Sequence, residues 1–474
     1  MAALCLPVAT AFDIQPLIAN ISSASQVYYP TDANWTDTVQ RWSTWYEPTF
    51  SVGIKPGTTA DLQTIVRYAA ANDIPFLATG RGHGYTTSYG ALQGGLKVDL
   101  SFFDQINVDA DQNTVTVGGS VTFEQVTEQV YQAGREIPTG SCPCVGMMGA
   151  ALGGGVGRYQ GLHGLIIDTL QSVKMVTATG DLISVSADEH ADLFWGVRGA
   201  GFNYGIVTEA TFEVYELTNG GNLFKADFMF PASANETYFR ILASYGTLPA
   251  RLSLFTVVMM DPTHGPVILL NAYYAGSHEE GMSLVSKFNK LPPLQKDIQM
   301  VAWNVIDTSA GFGLARIFCI EGQMHNMWSL GVRTIDAQTH IDFFNRLAAF
   351  WKQYPSAIGS TWEVEYFSSE AVRAVPDAST AYPHRTIGAQ EMFSFNLSDP
   401  SIGGSVDRFA KETVANFQKT SGFDQLQVYV NYAHGTESLA ARYGSHKLPE
   451  LRRLKEQWDP TGLFRFNNPL LNWG

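Results

Sequence analysis

The chain has 474 residues, 45% apolar and 12% aromatic, enough to fill two or three packed cores and too hydrophobic for a disordered protein. Its 30 basic and 44 acidic side chains leave a formal charge of −14, which repels phosphate backbones and anionic lipid, so neither nucleic acid nor membrane is an expected partner. No uninterrupted apolar run reaches the ~18 residues that a membrane-spanning helix requires.

The opening Met1–Phe12 (MAALCLPVATAF) has the apolar run and small residues of a secretory leader, without the usual basic residue ahead of them. Together with N-x-S/T sequons at Asn20, Asn34, Asn235 and Asn396 it predicts a secreted, glycosylated chain. From Thr58 to Asn72 the apolar residues Leu62, Ile65, Val66, Ala69 and Ala70 recur at helical spacing behind capping threonines, which predicts a helix. Ile74–Thr79 reads as a short buried strand running into Gly80-Arg81-Gly82-His83-Gly84, where the glycine density demands unusual backbone angles or a ligand at close approach. Strands follow at Leu96–Leu100 and Thr114–Val117, a helix at Thr122–Ala133, a hairpin over Leu170–Val185 and a strand over Gly205–Tyr215. Between them, the stretch 140–157 (GSCPCVGMMGAALGGGVG) has too much glycine for a stable helix and too little polarity for a solvated loop, which points to a buried ligand surface.

From about Leu217 to Lys419 glycine thins out, and strand-like runs such as Leu252–Met260 and Val267–Tyr274 alternate with amphipathic helices, predicting a second domain. The tail predicts a strand in QVYVNY (427–432), a helix with Pro449 in its first turn and Leu451, Leu454 and Trp458 on one face, and a closing turn at Asp459-Pro460-Thr461-Gly462.

Cysteines stand only at 5, 142, 144 and 319, too few for a disulfide framework. The C-P-C spacing at 142–144 is tight for a bridge and lacks the second pair of a zinc site, so no metal is expected and one of these thiols is free for other chemistry. Glycine-rich loops can hold a pyrophosphate on backbone N–H groups alone, which suits a dinucleotide on an acidic protein. Neither loop has the G-x-G-x-x-G spacing of a nicotinamide-binding unit, and tight turns in a β-rich core are the alternative reading.

The motifs T-G-R-G-H-G-Y (79–85), V-D-L-S (98–101), T-V-x-V-G-G (114–119), G-x-C-P-x-V-G (140–146), G-G-G-x-G (153–157), D-L-F-W-G-V-R-G (192–199) and G-I-V-T (205–208) occur in one order. In that order they resemble the FAD-binding domain of the vanillyl-alcohol oxidase (PCMH-type) superfamily. Y-V-N-Y (429–432) and W-D-P-T-G-L-F-R-F (458–466) are similar to the end of its berberine bridge enzyme-like branch, as in fungal FAD-linked oxidoreductases. The resemblance implies an α+β, two-domain fold: an FAD-binding domain from 1–216 and 420–474, and a substrate-binding domain over 217–419 built as an antiparallel sheet covered by helices. It implies FAD bonded covalently to His83 through its 8α methyl and to Cys142 through carbon 6, with Cys144 the competing thiol. Gly80, Arg81, Gly82, Gly84, Tyr85, Val145, Gly146, Gly153, Gly154, Gly157, Gly205, Ile206 and Val207 are the remaining expected cofactor contacts.

By the same resemblance Val145 is small enough to admit dioxygen, and the Y-x-N-Y segment supplies the base, Tyr429 or Tyr432, with Asn431 orienting the site. Tyr429 is taken as the base that removes a proton while hydride passes to flavin N5, dioxygen then giving hydrogen peroxide. A tyrosine needs help to act as a base near neutrality, and Glu363 and Glu365, two apart on one strand face, are candidates for that help, unless the face is solvated. One departure is Ala150, where the family usually has a histidine; His163 is the candidate substitute. Within the run 389–397, Glu391, Ser394 and Asn396 are left unassigned. The expected enzyme is a monomeric oxidase of a small organic molecule, a secondary metabolite, alcohol or sugar. Its rivals are a flavin-containing cyclase of natural-product biosynthesis and a redox-silent flavin carrier.

Overall fold

The computed structural model describes residues 12–471; the leader-like opening through residue 11, with Cys5, lies outside them. The helix predicted at 58–72 spans Thr59–Ala71, with the Thr58 hydroxyl accepting from the Asp61 N–H, and it buries Leu62, Ile65, Val66 and Ala69. It packs on a four-stranded sheet of order Gln26–Tyr28, Phe50–Lys55, Gly95–Asp99, Phe76–Thr79, whose last three strands are parallel. A second, antiparallel sheet of five strands carries Ile106–Asp109, Thr114–Gly118, Ile206–Glu213, Leu170–Val176 and Leu182–Ser186 in that order.

The strands of the third sheet fall between residues 222 and 396. They are antiparallel, in the order Gln295–Ala302, Asn222–Pro231, Gly265–Tyr274, Leu252–Asp261, Thr361–Phe367, Ala389–Asn396, His325–Val332. Because side chains alternate across a strand, Leu254, Val258, Ile268, Leu270, Trp362 and Phe393 share one face, where they pack against helices Asn235–Ala243, Ala337–Gln353 and Gly403–Thr420. The opposite face, with Phe255, Val257, Met259, Leu269, Glu363 and Met392, is turned to a cavity.

Two elements depart from the sequence reading. The stretch 140–157 contains a short helix, Met147–Gly153, because buried Met147, Met148, Ala151 and Leu152 supply packing that outweighs the glycine content. The segment 427–432 is not a strand: Val430–Tyr432 forms a 3₁₀ turn, which brings Tyr429 and Tyr432 to one side with ring centroids 4.7 Å apart. The tail does return to the first sheet. Asp459 accepts from the Leu463 and Phe464 N–H groups at 2.7 and 2.8 Å and from Lys455 Nζ at 2.6 Å, and Phe464 lies edge-on to Phe76.

Two further contacts fasten the parts together. Arg385, ahead of the Ala389–Asn396 strand, makes a bidentate pair with Asp168 at 2.8 and 3.0 Å, with both side chains about 5% exposed or less. Cys144 is bonded to Cys319 across 175 residues, so it is not a thiol in competition with Cys142, and Cys142 is the free cysteine among the described residues. The sequons also divide. Asn235 is buried with its amide donating to Ile341 O and Asn345 Oδ1, and Asn396 lines the cavity, whereas Asn20 and Asn34 are exposed. In protein expressed through a secretory pathway, glycopeptide mass spectrometry is expected to find glycan at the exposed Asn20 and Asn34 and none at Asn235; occupancy at Asn235 would contradict this packing.

Candidate active site

A continuous cavity of about 650 Å³ lies between the first two sheets and the open face of the third. One end is walled by Phe76, Gly205, Ile206, Val207 and Phe464, the other by alternate residues of the large sheet. Gly80, Arg81, Gly82, His83, Gly84, Tyr85, Cys142, Val145, Gly146, Tyr429, Asn431 and Tyr432 all line it. Gly82, at φ +67, takes a backbone conformation that a side chain would strain, and so turns His83 inward. The Arg81 guanidinium is engaged by protein, its Nε donating to Ser120 O at 2.5 Å and its Nη2 to Gln125 Oε1 at 3.2 Å.

Gly153, Gly154 and Gly157 do not line the cavity. They serve close packing behind it, since a Cβ on Gly153 would meet Asn431 Oδ1 at 2.2 Å, on Gly154 the Tyr382 ring at 2.8 Å, and on Gly157 the Thr139 carbonyl oxygen at 1.6 Å. Gly153 and Gly154 thus seat the 429–432 turn and Gly157 packs on Thr139, in place of the expected contact with the cofactor.

His83 and His325 both stack on Trp42, at centroid distances of 4.5 and 3.9 Å. Burial pushes the His83 imidazole down to about 4, so it is neutral at pH 7, and its Nε2 is buried without a hydrogen-bond partner. A His83 ring nitrogen and the Cys142 sulfur lie within 4.8 Å of each other. Burial, with smaller contributions from the charges of Asp307 and Glu363, pushes the Cys142 thiol up to about 12. A bare imidazole nitrogen beside a free thiol, with the Thr79 hydroxyl also unpartnered in the wall, fits a cofactor bonded at two points and hydrogen-bonded along its length. The same ligand atoms do not make a metal centre, because the Cys144 sulfur is spent in its disulfide.

The two tyrosines differ in what occupies their hydroxyls. Tyr429 Oη accepts from Gly155 N–H at 2.7 Å and Asn431 Nδ2 at 2.8 Å, and donates to Ala150 O at 3.3 Å, which fills its capacity. Tyr432 Oη donates to Glu365 Oε2 at 2.9 Å, while Ser141 Oγ holds the other carboxylate oxygen at 2.5 Å. Burial raises both Glu365 and Tyr432 above their ordinary values. Glu363, which accepts from Thr361 Oγ1 at 2.9 Å, is pushed up to about 7 by burial. The face carrying Glu363 and Glu365 is thus buried rather than solvated: Glu363 lines the cavity, and Glu365 is hydrogen-bonded to Ser141 and Tyr432, which line it.

His163 does not stand in for the histidine replaced by Ala150: it stacks on Tyr215 and lies 2.8 Å from Glu136 Oε1, away from the cavity. Glu391 points to the helix-covered face, 2.9 Å from His340 Nε2 and accepting from Trp362 Nε1 at 2.8 Å, whereas Ser394 and Asn396 face the cavity. The sequence reading missed Trp42, Ser141 and the strap from Ser309 to Cys319, which roofs the site with Leu314, Ile317 and Phe318. Lys225 Nζ donates to Ser309 O at 3.0 Å, and Asp227 accepts from the Gly311 and Phe312 N–H groups at 3.1 and 2.8 Å, so both side chains fix the start of the strap.

Residues 51–186 match the family described as FAD binding domain, and residues 428–470 the family described as berberine and berberine like. The FAD-linked oxidoreductase azaL of Aspergillus niger is 42% identical over 444 residues, spanning 92% of this chain and 94% of its own. The FAD-linked oxidoreductase tazG of Aspergillus terreus is 39% identical over 461 residues, 96% of this chain and 94% of its own. Among solved structures, BBE-like 1 of Physcomitrella patens superposes with a TM-score of 0.84 at 23% identity, covering 97% of this chain and 100% of that one. Xylooligosaccharide oxidase of Myceliophthora thermophila, in complex with xylobiose, superposes with a TM-score of 0.80 at 21% identity over 97% of this chain and 99% of its own.

Proposed function

The chain belongs to the FAD-linked oxidoreductases, an enzyme family rather than a set of carriers, and from that premise we propose that it is an oxidase whose FAD is carried on two covalent bonds, to His83 and Cys142. The observation that carries this reading is the neutral, unpartnered imidazole nitrogen beside the free thiol in the wall of one cavity. FAD held there supplies a two-electron acceptor that dioxygen resets, with hydrogen peroxide as the by-product, and the small Val145 side chain in the wall supports access for dioxygen.

The base is Tyr432 rather than Tyr429, whose hydroxyl is fully engaged. Tyr432 takes a proton from the substrate and passes its own to Glu365 Oε2; Ser141 holds the opposite oxygen and so keeps Oε2 aimed at the tyrosine. Because burial raises Glu365 above the ordinary carboxylate range, its ionised form accepts that proton more readily than an exposed carboxylate would. Val257, Met259, Leu269, Met327 and Met392 give the substrate side an apolar wall, which supports a lipophilic metabolite over a sugar. The Cys144–Cys319 bond and the exposed sequons at Asn20 and Asn34 support a secreted protein. One chain supplies every wall of the cavity, so a monomer suffices for the reaction.

Acid precipitation of the purified protein tests the attachment. The pellet is expected to stay yellow, and tryptic mapping to find flavin bridging the peptides that contain His83 and Cys142. H83A and C142A are each expected to keep one bond, and the double variant none. A wild-type protein that releases all its flavin on denaturation would overturn the covalent reading.

A further inference from the structure

Arg158 follows the 153–157 glycine run directly and stands 4% exposed in the cavity wall. Its guanidinium carbon lies 5.2 Å from the ring centre of Phe255, 5.1 Å from that of Tyr273 and 5.7 Å from that of Phe367. None of its three nitrogens has a hydrogen-bond partner, and among the described residues no carboxylate comes within ion-pair distance of it. Aromatic faces attract a guanidinium through its π face and leave the in-plane N–H groups unused. A buried charge with a full set of idle donors is costly, and a protein retains one where something else completes it.

The location says what that partner is. Phe255 is the register partner of Glu365 across the two strands, and Phe367 follows Glu365 by two positions on the same face. The guanidinium is therefore beside the carboxylate that serves Tyr432, and Asp307, the other acid it influences, is pushed up to about 7 by burial and so carries only part of a charge near neutrality. Planar donors in a fixed fork match a planar two-oxygen acceptor, and the three surrounding rings favour an aromatic or apolar body behind it.

We propose that Arg158 is the docking point for a carboxylate carried by the lipophilic substrate, holding it in the arm of the cavity lined by Tyr432. The inference rests on the oxidase reading only in taking this cavity as the substrate site. Arg158 acts here by positioning, not by moving a proton.

The test is a titration of the flavin-loaded protein with benzoate and with its neutral counterpart benzamide, read as a perturbation of the flavin absorbance without turnover. Wild type is expected to bind benzoate at least about 30-fold more tightly than benzamide, and R158Q to lose about 30-fold or more in benzoate affinity while benzamide binding is unchanged. R158K, which keeps the charge and loses the fork, is expected to fall between them. Equal affinity of wild type for the two probes overturns the proposal, and this comparison needs no variant to fold. So does an R158Q protein that binds benzoate as wild type does, including one whose flavin spectrum has changed, since the guanidinium would then serve the cofactor. Y432F is expected to lower turnover by about 10²–10⁴-fold yet bind benzoate normally, which separates this inference from the assignment of the base.

Discussion

Tyr432→Phe is expected to lower kcat by about 10²–10⁴-fold, the usual contribution of a positioned general base, with the flavin still bound and the fold intact. The substitution removes one hydroxyl whose hydrogen-bond partner is Glu365 Oε2, and the ring stays packed beside Tyr429. Glu365→Gln should cost a similar factor, because an amide cannot take the tyrosine proton. Tyr429→Phe should cost less than either, since its hydroxyl ties Gly155, Asn431 and Ala150 together and is not free for substrate. The pH profile carries the sign: Glu365 must be ionised to accept the proton, and burial raises its pKa, so kcat/KM should fall on the acid side at a pH above the ordinary carboxylate range of ~4. Rapid-mixing measurement of flavin reduction checks the whole set. A Y432F enzyme within a few fold of wild type, or a Y429F enzyme crippled as badly, would move the base elsewhere.

Asp168→Ala is expected to destabilise the protein by about 3–5 kcal/mol, the cost of stripping one partner from a buried ion pair. Arg385 would be left about 4% exposed, keeping only Thr380 Oγ1 at 2.8 Å and the Val372 carbonyl at 3.2 Å as acceptors. Asp168 also accepts the Leu165 N–H at 2.9 Å, so the loss reaches the turn behind the cavity. The pair joins a turn of the first half to the loop that precedes a strand of the large sheet, so its loss loosens the seam along which the cavity runs. Calorimetry should show the first unfolding transition lowered by about 10 °C, and flavin fluorescence should report earlier release of the cofactor environment. A variant that melts with wild type would mean that the two halves are held by apolar packing alone.

The helix over 59–71, the hairpin at 170–186 and the two long strands at 252–261 and 265–274 were legible because each buries a face that its own periodicity announces. His83 and Cys142 were legible through their motifs, and the cavity brings both into one wall. What periodicity could not supply was the choice between residues that share a motif. Tyr429 and Tyr432 look alike in sequence, and only the 3₁₀ turn and its neighbours decide which hydroxyl is spent on the backbone. His163 failed for the same reason: its fate hangs on Glu136 and Tyr215, which lie 27 and 52 positions away.

The buried glutamates were illegible because alternation marks a shared face without saying what the face meets; here it meets a cavity rather than solvent. Arg158 lay one residue beyond a recognised glycine run, and its position in an apolar context was the available clue. The pairing of Cys144 with Cys319 had a clue as well, since assigning Cys142 to the flavin leaves those two among the described residues.

That bond bears on how the holoenzyme has to be made. The Cys142 and Cys144 sulfurs lie 3.5 Å apart, so under the proposed attachment the linkage to Cys319 would keep the second sulfur from competing for the ring carbon assigned to the first. Chains produced in a reducing cytosol would present the flavin with a pair of neighbouring nucleophiles and an untethered roof, whereas an export pathway that oxidises thiols before loading hands it one. The proposed attachment thus predicts an order of maturation, oxidation first and flavin second, from the spacing of a tripeptide.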